Sequence, residues 1–232
     1  KTIAIICTEG YFSTKTSEYL EKYVKEKKLN LVLNEKYTKG MINFKPLLEK
    51  IKEKEPDLLY VIVYKGDASL LMKQAEEVDF NPAVYAGAGI GFTDPYFIPE
   101  AGKNAEYVIT LSQWDKKAGY PGSDDFVRSY TEKFNCEPDY HAALAYSAFT
   151  VLIDAIKRSP SMEKEDIKTS LKNTQMTTIV GKVDFEDFDS YTNQNKHRLI
   201  VLQIQEGEFY PVYPVEISKK KPVLPVPPWS ER

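Results

Sequence analysis

Little in this chain can support redox or metal chemistry. It has two cysteines, Cys7 and Cys136, without CxxC spacing, and two histidines, His141 and His197. A metal centre and a redox pair are both poorly provided for, so no metal or cofactor is expected. Cys7 reads as a buried strand residue and Cys136 as a loop thiol. No uninterrupted apolar run approaches the ~18 residues that a membrane span needs, so no segment is expected to cross a bilayer. An excess of positive charge is missing as well. Lys and Arg number 31 against 34 Asp and Glu, a net charge of -3, and Lys219 to Lys221 form the one basic run. That balance argues against binding a phosphate backbone, and nucleic acid is not an expected partner. Hydrolase signatures are absent too: there is no G-x-S-x-G elbow, no H-E-x-x-H and no clear Cys/His pairing. A catalytic site would have to rest on the scattered Glu9, Asp67 and His141, so an enzyme is not expected. The chain enters the apolar stretch "TIAIIC" directly after Lys1, with no initiator Met and no charged-then-apolar leader, which reads as a processed or excised piece.

What the sequence does contain is an alternation of β-branched apolar runs and helical patterns. Strands are predicted at Thr2 to Cys7, Leu29 to Glu35, Leu58 to Tyr64, Ala83 to Ala86 and Tyr107 to Ser112. Helices are predicted between them at about Thr16 to Lys27, Lys45 to Lys54, Ala68 to Glu77 and Pro95 to Gly102. A βαβ series of this kind implies a parallel sheet with right-handed crossovers and helices on both faces. From "QWDKKAGYPGSDD" onward the rhythm changes, and helices are predicted at Asp124 to Phe134, His141 to Arg158 and Lys164 to Asn173. A β segment "IVGKVDF", an acidic loop "EDFDSYTNQN" and a hairpin turned at Glu206-Gly207 follow. The proline-rich ending "KKKPVLPVPPWSER" is expected to run extended over a surface.

In open parallel sheets ligands bind beyond the carboxyl ends of the strands, near the switch in strand order. The loops to inspect are therefore "TEGYFS" (Thr8 to Ser13), "YKGD" (Tyr64 to Asp67) and "GAGIGFTD" (Gly87 to Asp94). The "GAGIG" run invites a nucleotide reading, but a dinucleotide fingerprint follows the first strand and keeps a glycine inside the helix, whereas this run follows the fourth. A tight loop at a cleft edge, where small residues make room, fits better. "DFEDFDS" gathers Asp184, Glu186, Asp187 and Asp189, yet lacks the turn glycine and distal glutamate of a calcium loop, so a solvated acidic turn is expected. Tyr11, Phe12, Tyr64 and Phe92 all fall at or just past strand ends. Together they suggest a cleft wall in which rings cover an apolar ligand and phenol hydroxyls orient a polar group.

The order of elements, the Y-x-G-D run with Gln74-Ala75 after the third strand, "AYSAFTVLIDAI" (Ala145 to Ile156), "GKVDFEDFDS" and the P-x-P-P-W-x-E-R ending resemble substrate-binding proteins of ABC importers. The resemblance is to the type I periplasmic-binding group that includes the leucine/isoleucine/valine receptors, and it covers essentially the whole chain. It implies an α/β fold with Rossmann-like parallel sheets in two lobes that close on a small molecule. Residues 1-112 and 198-232 would form the second lobe, and 113-197 the C-terminal portion of the first. It also implies a half-lobe ahead of "TIAIIC", absent here, which in the family holds the ligand's carboxylate. A first lobe incomplete in this way is expected to expose apolar surface and to self-associate.

For the ligand site the resemblance implies that Tyr11 and Tyr64 line the cleft from the second lobe. In the amino-acid receptors an acidic residue after the next strand pairs with the ligand's α-ammonium; Ala88 stands there in this sequence. A buried ammonium without its partner costs several kcal/mol, about 3 to 5 when a buried pair is broken. A carboxylate ligand lacking the ammonium fits Ala88 better, unless Glu9 substitutes from the neighbouring loop. Phe12, Gly87 and His141 complete the expected ligand contacts, His141 being equally readable as an exposed helix-start residue. The implied role is an extracytoplasmic, non-catalytic receptor that delivers its ligand to an ABC permease in the membrane. A ligand-sensing domain of a signalling protein with the same fold is the alternative.

Overall fold

The computed structural model describes residues 1–232. Two compact units divide the chain, Lys1–Leu111 with Val201–Arg232 and Ser112–Ile200. No helix is long and apolar enough to cross a membrane.

The first unit is built on a seven-stranded sheet. Its strands are β1 (Thr2–Thr8), β2 (Asn30–Tyr37), β3 (Leu58–Ile62), β4 (Val84–Ala88), β5 (Ile109–Ser112), β9 (Ile200–Gln205) and β10 (Glu208–Tyr213). They lie in the order β10-β9-β5-β4-β3-β1-β2. β1 to β5 pair in parallel, and β9 and β10 form an antiparallel hairpin at Glu206-Gly207. Alternation sorts each strand's side chains onto two faces. Ile3 and Ile5 pack under Val24 of helix α1 (Tyr11–Glu26), with Leu20, Leu58 and Tyr60 beside them. Ala4, Ile6, Leu59, Val61 and Val63 point the other way. There they meet Leu48 and Ile51 of α2 (Lys45–Lys52) and Leu71, Met72 and Ala75 of α3 (Asp67–Glu77) in the main core. The short α4 (Phe97–Ala101) closes that core with Phe97.

Several expectations need correction here. Helix α1 begins at Tyr11 rather than near Thr16, because Gly10 takes φ 141°, ψ 159°, a conformation open essentially to glycine, and turns the chain straight into the helix. Tyr11 and Phe12 therefore sit on a first helical turn and not in a loop. The proline-rich ending does more than run over a surface. Val226 N–H donates to the Ala83 carbonyl at 2.9 Å, and Trp229 is buried in the main core.

The second unit holds α5 (Ser123–Phe134), α6 (Tyr140–Arg158), α7 (Lys164–Lys172) and an antiparallel sheet of β6 (Gln175–Thr178), β7 (Gly181–Phe188) and β8 (Tyr191–Asn195). Its core joins Trp114, Phe126, Ala143, Ile179 and Val180, with the Trp114 and Phe126 rings edge to face at 5.8 Å. The expected acidic loop is instead the arm of a hairpin: β7 runs on to Phe188 and β8 pairs back with it. Its residues are exposed on both faces, so no apolar period marks it as strand. β6 was not anticipated either.

Helix α6 buries Ala143, Ser147, Val151 and Ala155 and turns Tyr146, Phe149 and Leu152 outward. Large apolar side chains left in water on one stripe promote association. The unaltered chain should show a sedimentation coefficient that rises with concentration, and Phe149→Glu should flatten that rise. An unaltered chain whose sedimentation does not change with concentration would refute this.

Candidate functional site

Parallel pairing brings the exits of β1, β2, β3 and β4 to one edge of the first unit. The registers Thr8↔Tyr37, Cys7↔Ile62 and Ile62↔Ala88 set these ends side by side. Strand order turns at this edge as well. β1 lies between β2 and β3, so its outgoing connection runs one way and the next strands step the other, the geometry that leaves a crevice in an open sheet.

Tyr11 is 83% exposed and Phe12 51%, both on the first turn of α1 beside the β1 exit. Tyr64, two residues past β3, is half-buried, with the Lys39 ammonium 5.6 Å from its ring centroid. Ala88 ends β4, buried at 9% exposure, and its carbonyl accepts Val63 N–H at 3.2 Å. Glu9 is exposed at the β1 exit. Tyr11, Phe12, Tyr64, Ala88 and Glu9 thus come together at one sheet edge.

The glycine loop has a packing explanation. A Cβ on Gly87 would stand 2.3 Å from the Phe92 ring and 2.5 Å from the Val61 carbonyl oxygen; one on Gly91 would meet Val63 at 2.7 Å. The small residues let the loop close onto β3 and leave no room for anything between. Phe92 itself is not a cleft wall. It is fully buried, its ring 5.1 Å from that of Phe97. A strand-exit position says nothing about which way a ring turns, and this one fills the hollow over Gly87.

His141 belongs to the second unit. It is exposed on the first turn of α6, its ring stacked on Tyr140 at 3.9 Å, and its Nδ1 lies 3.1 Å from Asp139, the residue whose carboxylate caps α6 by accepting Ala142 N–H. Asp67 is buried at the head of α3 and accepts Gly40 N–H at 3.4 Å, which ties down the loop after β2. Gln74 of α3 holds the same loop by donating to the Ile42 carbonyl and accepting Phe44 N–H. Cys7 is buried and Cys136 exposed, and burial pushes the Cys7 thiol up. The acidic hairpin gathers no group of three or more ligands suited to a metal ion.

Two features were not anticipated. One is Lys39, whose reach to Tyr64 depends on β2 lying next to β1, an order that sequence does not encode. The other is a groove of about 450 Å³ lined by Thr16, Tyr19, Leu20, Tyr23 and Tyr60, which runs along α1 away from the strand exits. Strand position and residue chemistry, not concavity, single out the carboxyl edge.

The profile of the periplasmic binding protein family matches residues 1–208, and the chain belongs to that family. The family is one of solute-binding proteins. A Leu/Ile/Val-binding protein homolog of Brucella melitensis is 23% identical over 218 residues, covering 91% of this chain and 55% of the relative. Among solved structures, a leucine binding protein from Thermotoga maritima superposes with a TM-score of 0.76 at 23% identity, covering 90% of this chain and 59% of that one. An ABC transporter solute binding protein from R. palustris in complex with benzoate does so with a TM-score of 0.76 at 14% identity, covering 91% and 57%. The fold is therefore that of type I periplasmic-binding proteins, and the chain spans a little over half the length of the relatives it matches.

Proposed function

We propose that this chain is part of an extracytoplasmic, non-catalytic receptor that captures a small organic carboxylate lacking an α-ammonium group and passes it to an ABC permease in the membrane. The observation that carries the reading is Ala88. It occupies the buried end of β4, paired with Ile62 two residues before Tyr64, at the position where the resemblance to amino-acid receptors implies a carboxylate, and it offers only a methyl group. An ammonium brought there would lose water without gaining a counter-charge. Tyr11 and Tyr64 supply rings that can cover an apolar body, with Phe12 adjoining Tyr11 on the same helical turn. The benzoate complex of the R. palustris relative supports the class: its ligand is an aromatic carboxylate with no ammonium.

A thermal-shift screen of the full-length polypeptide tests this against aliphatic amino acids, their keto-acid analogues and aromatic carboxylates. A ligand at a thousand times its dissociation constant adds about 4 kcal/mol to stability, a shift of several degrees. Carboxylates without an ammonium should stabilise the protein and amino acids should not. Stabilisation by leucine or valine would hand the ammonium to Glu9 and overturn the ligand assignment while leaving a receptor. Silence across all three classes would remove the receptor reading itself.

A further inference from the structure

The charges at the carboxyl edge of the first unit are unevenly matched. Lys65 is paired, its Nζ 3.2 Å from Asp94. Asp67 is buried and engaged with Gly40. Helix α1 opens at this edge with no acidic residue in its first turn and no side-chain cap, so its positive end is not offset locally. Lys39 has the Tyr64 ring as its partner and forms no ion pair.

The position of Lys39 follows from the sheet. It lies two residues past β2, and Tyr64 lies two past β3, with β1 between the two strands. Neighbouring strands are ~4.8 Å apart, so the ends of β2 and β3 are separated by roughly 10 Å. The loop after β2 closes that gap itself: Gly40 N–H reaches the Asp67 carboxylate at 3.4 Å, three residues beyond Tyr64, and this sets the Lys39 ammonium 5.6 Å from the Tyr64 ring at the carboxyl edge. The loop that carries Lys39 is anchored to α3 through Asp67 and Gln74, so the root of the side chain is fixed while its four-carbon stem can adjust.

Resting on the receptor reading above, we infer that Lys39 determines specificity, and that the ligand carries a second anionic group at the end facing this unit. The chemical class is a small dicarboxylate, aliphatic or aromatic. A cation on the face of Tyr64 repels an ammonium and forms a charge-assisted hydrogen bond with a carboxylate.

Isothermal titration of the full-length polypeptide with matched pairs tests the inference: benzoate against terephthalate and isophthalate, hexanoate against adipate. The dicarboxylate of a pair should bind about tenfold more tightly than its monocarboxylate, and raised salt should shrink the ratio. Lys39→Gln should bring the ratio to within about twofold of one, Lys39→Arg should retain most of it, and Lys65→Gln should retain it all. A monocarboxylate that binds as tightly as its dicarboxylate partner would overturn the inference and leave the receptor. So would a Lys39→Gln protein that keeps the tenfold preference. If neither member of any pair binds, the receptor reading falls, and this inference with it.

Discussion

Trp229→Ala is expected to destabilise the first unit by about 3 to 5 kcal/mol, the usual cost of truncating a buried aromatic ring. Trp229 lies three residues from the end of the chain, where most polypeptides fray, yet it is 7% exposed and its ring centroid is 5.9 Å from that of Tyr85 in β4. Arg232 covers the outer side, its guanidinium 3.6 Å from the Trp229 ring. Burial lowers that guanidinium to about 10, so it stays charged at neutral pH and keeps its attraction for the ring. Polar anchors hold the rest of the segment. Gln203 of β9 donates to the Val223 carbonyl at 3.1 Å and accepts Val223 N–H at 2.8 Å, and Gln205 donates to the Lys221 carbonyl at 3.0 Å. Side-chain amides thus do for this segment what a neighbouring strand's backbone would do. At roughly 2 to 4 °C per kcal/mol for a chain of this size, melting should fall by ~10 °C in the Trp229→Ala protein. Trp229→Phe, which keeps a ring against Tyr85, should lose much less. A Trp229→Ala protein that melts within a degree or two of the unaltered one would mean the ending is peripheral to the core.

The first unit was legible because its central strands β1 and β3 are largely buried on both faces. Runs such as Ile3 to Cys7 and Leu58 to Val63 are apolar throughout, and each is followed by a clear helical period, which is sufficient to predict a parallel sheet. The elements that escaped lack such a period. β8 and the outer end of β7 expose both faces, so the residues from Glu186 onward read as an acidic loop, and the start of α1 was hidden behind a glycine whose backbone angles compress the turn. The candidate site was half legible for a related reason. Strand ends can be found from sequence, and with them Tyr11, Tyr64 and Ala88. The direction in which a side chain leaves a strand end cannot, and so Phe92 was grouped with the cleft rings although it fills the core. Lateral strand order is likewise absent from the local pattern. Lys39 becomes relevant only once β2 is seen beside β1, with β3 on the far side.

Ala88→Asp should weaken binding of the carboxylate ligand by about a hundredfold or more, because it adds a fixed negative charge in a buried position facing an anion. Ala88→Asn, nearly the same size and uncharged, should cost far less. The comparison separates charge from crowding. The same substitution should give the protein measurable affinity for an aliphatic amino acid, whose ammonium would meet the counter-charge that Ala88 withholds. It should also make stability depend on pH in a set direction. Burial raises the folded-state pKa of the A88D carboxyl above its unfolded value near 3.9. The substitution is therefore least costly below that value, and its cost grows as pH rises through the interval up to the folded pKa, where the group must ionise without a partner. An ammonium-bearing ligand should reverse part of that loss and a simple carboxylate should not. If the aspartate and asparagine variants bind the carboxylate equally well, Ala88 does not face the ligand, and the assignment of ligand class built on it fails.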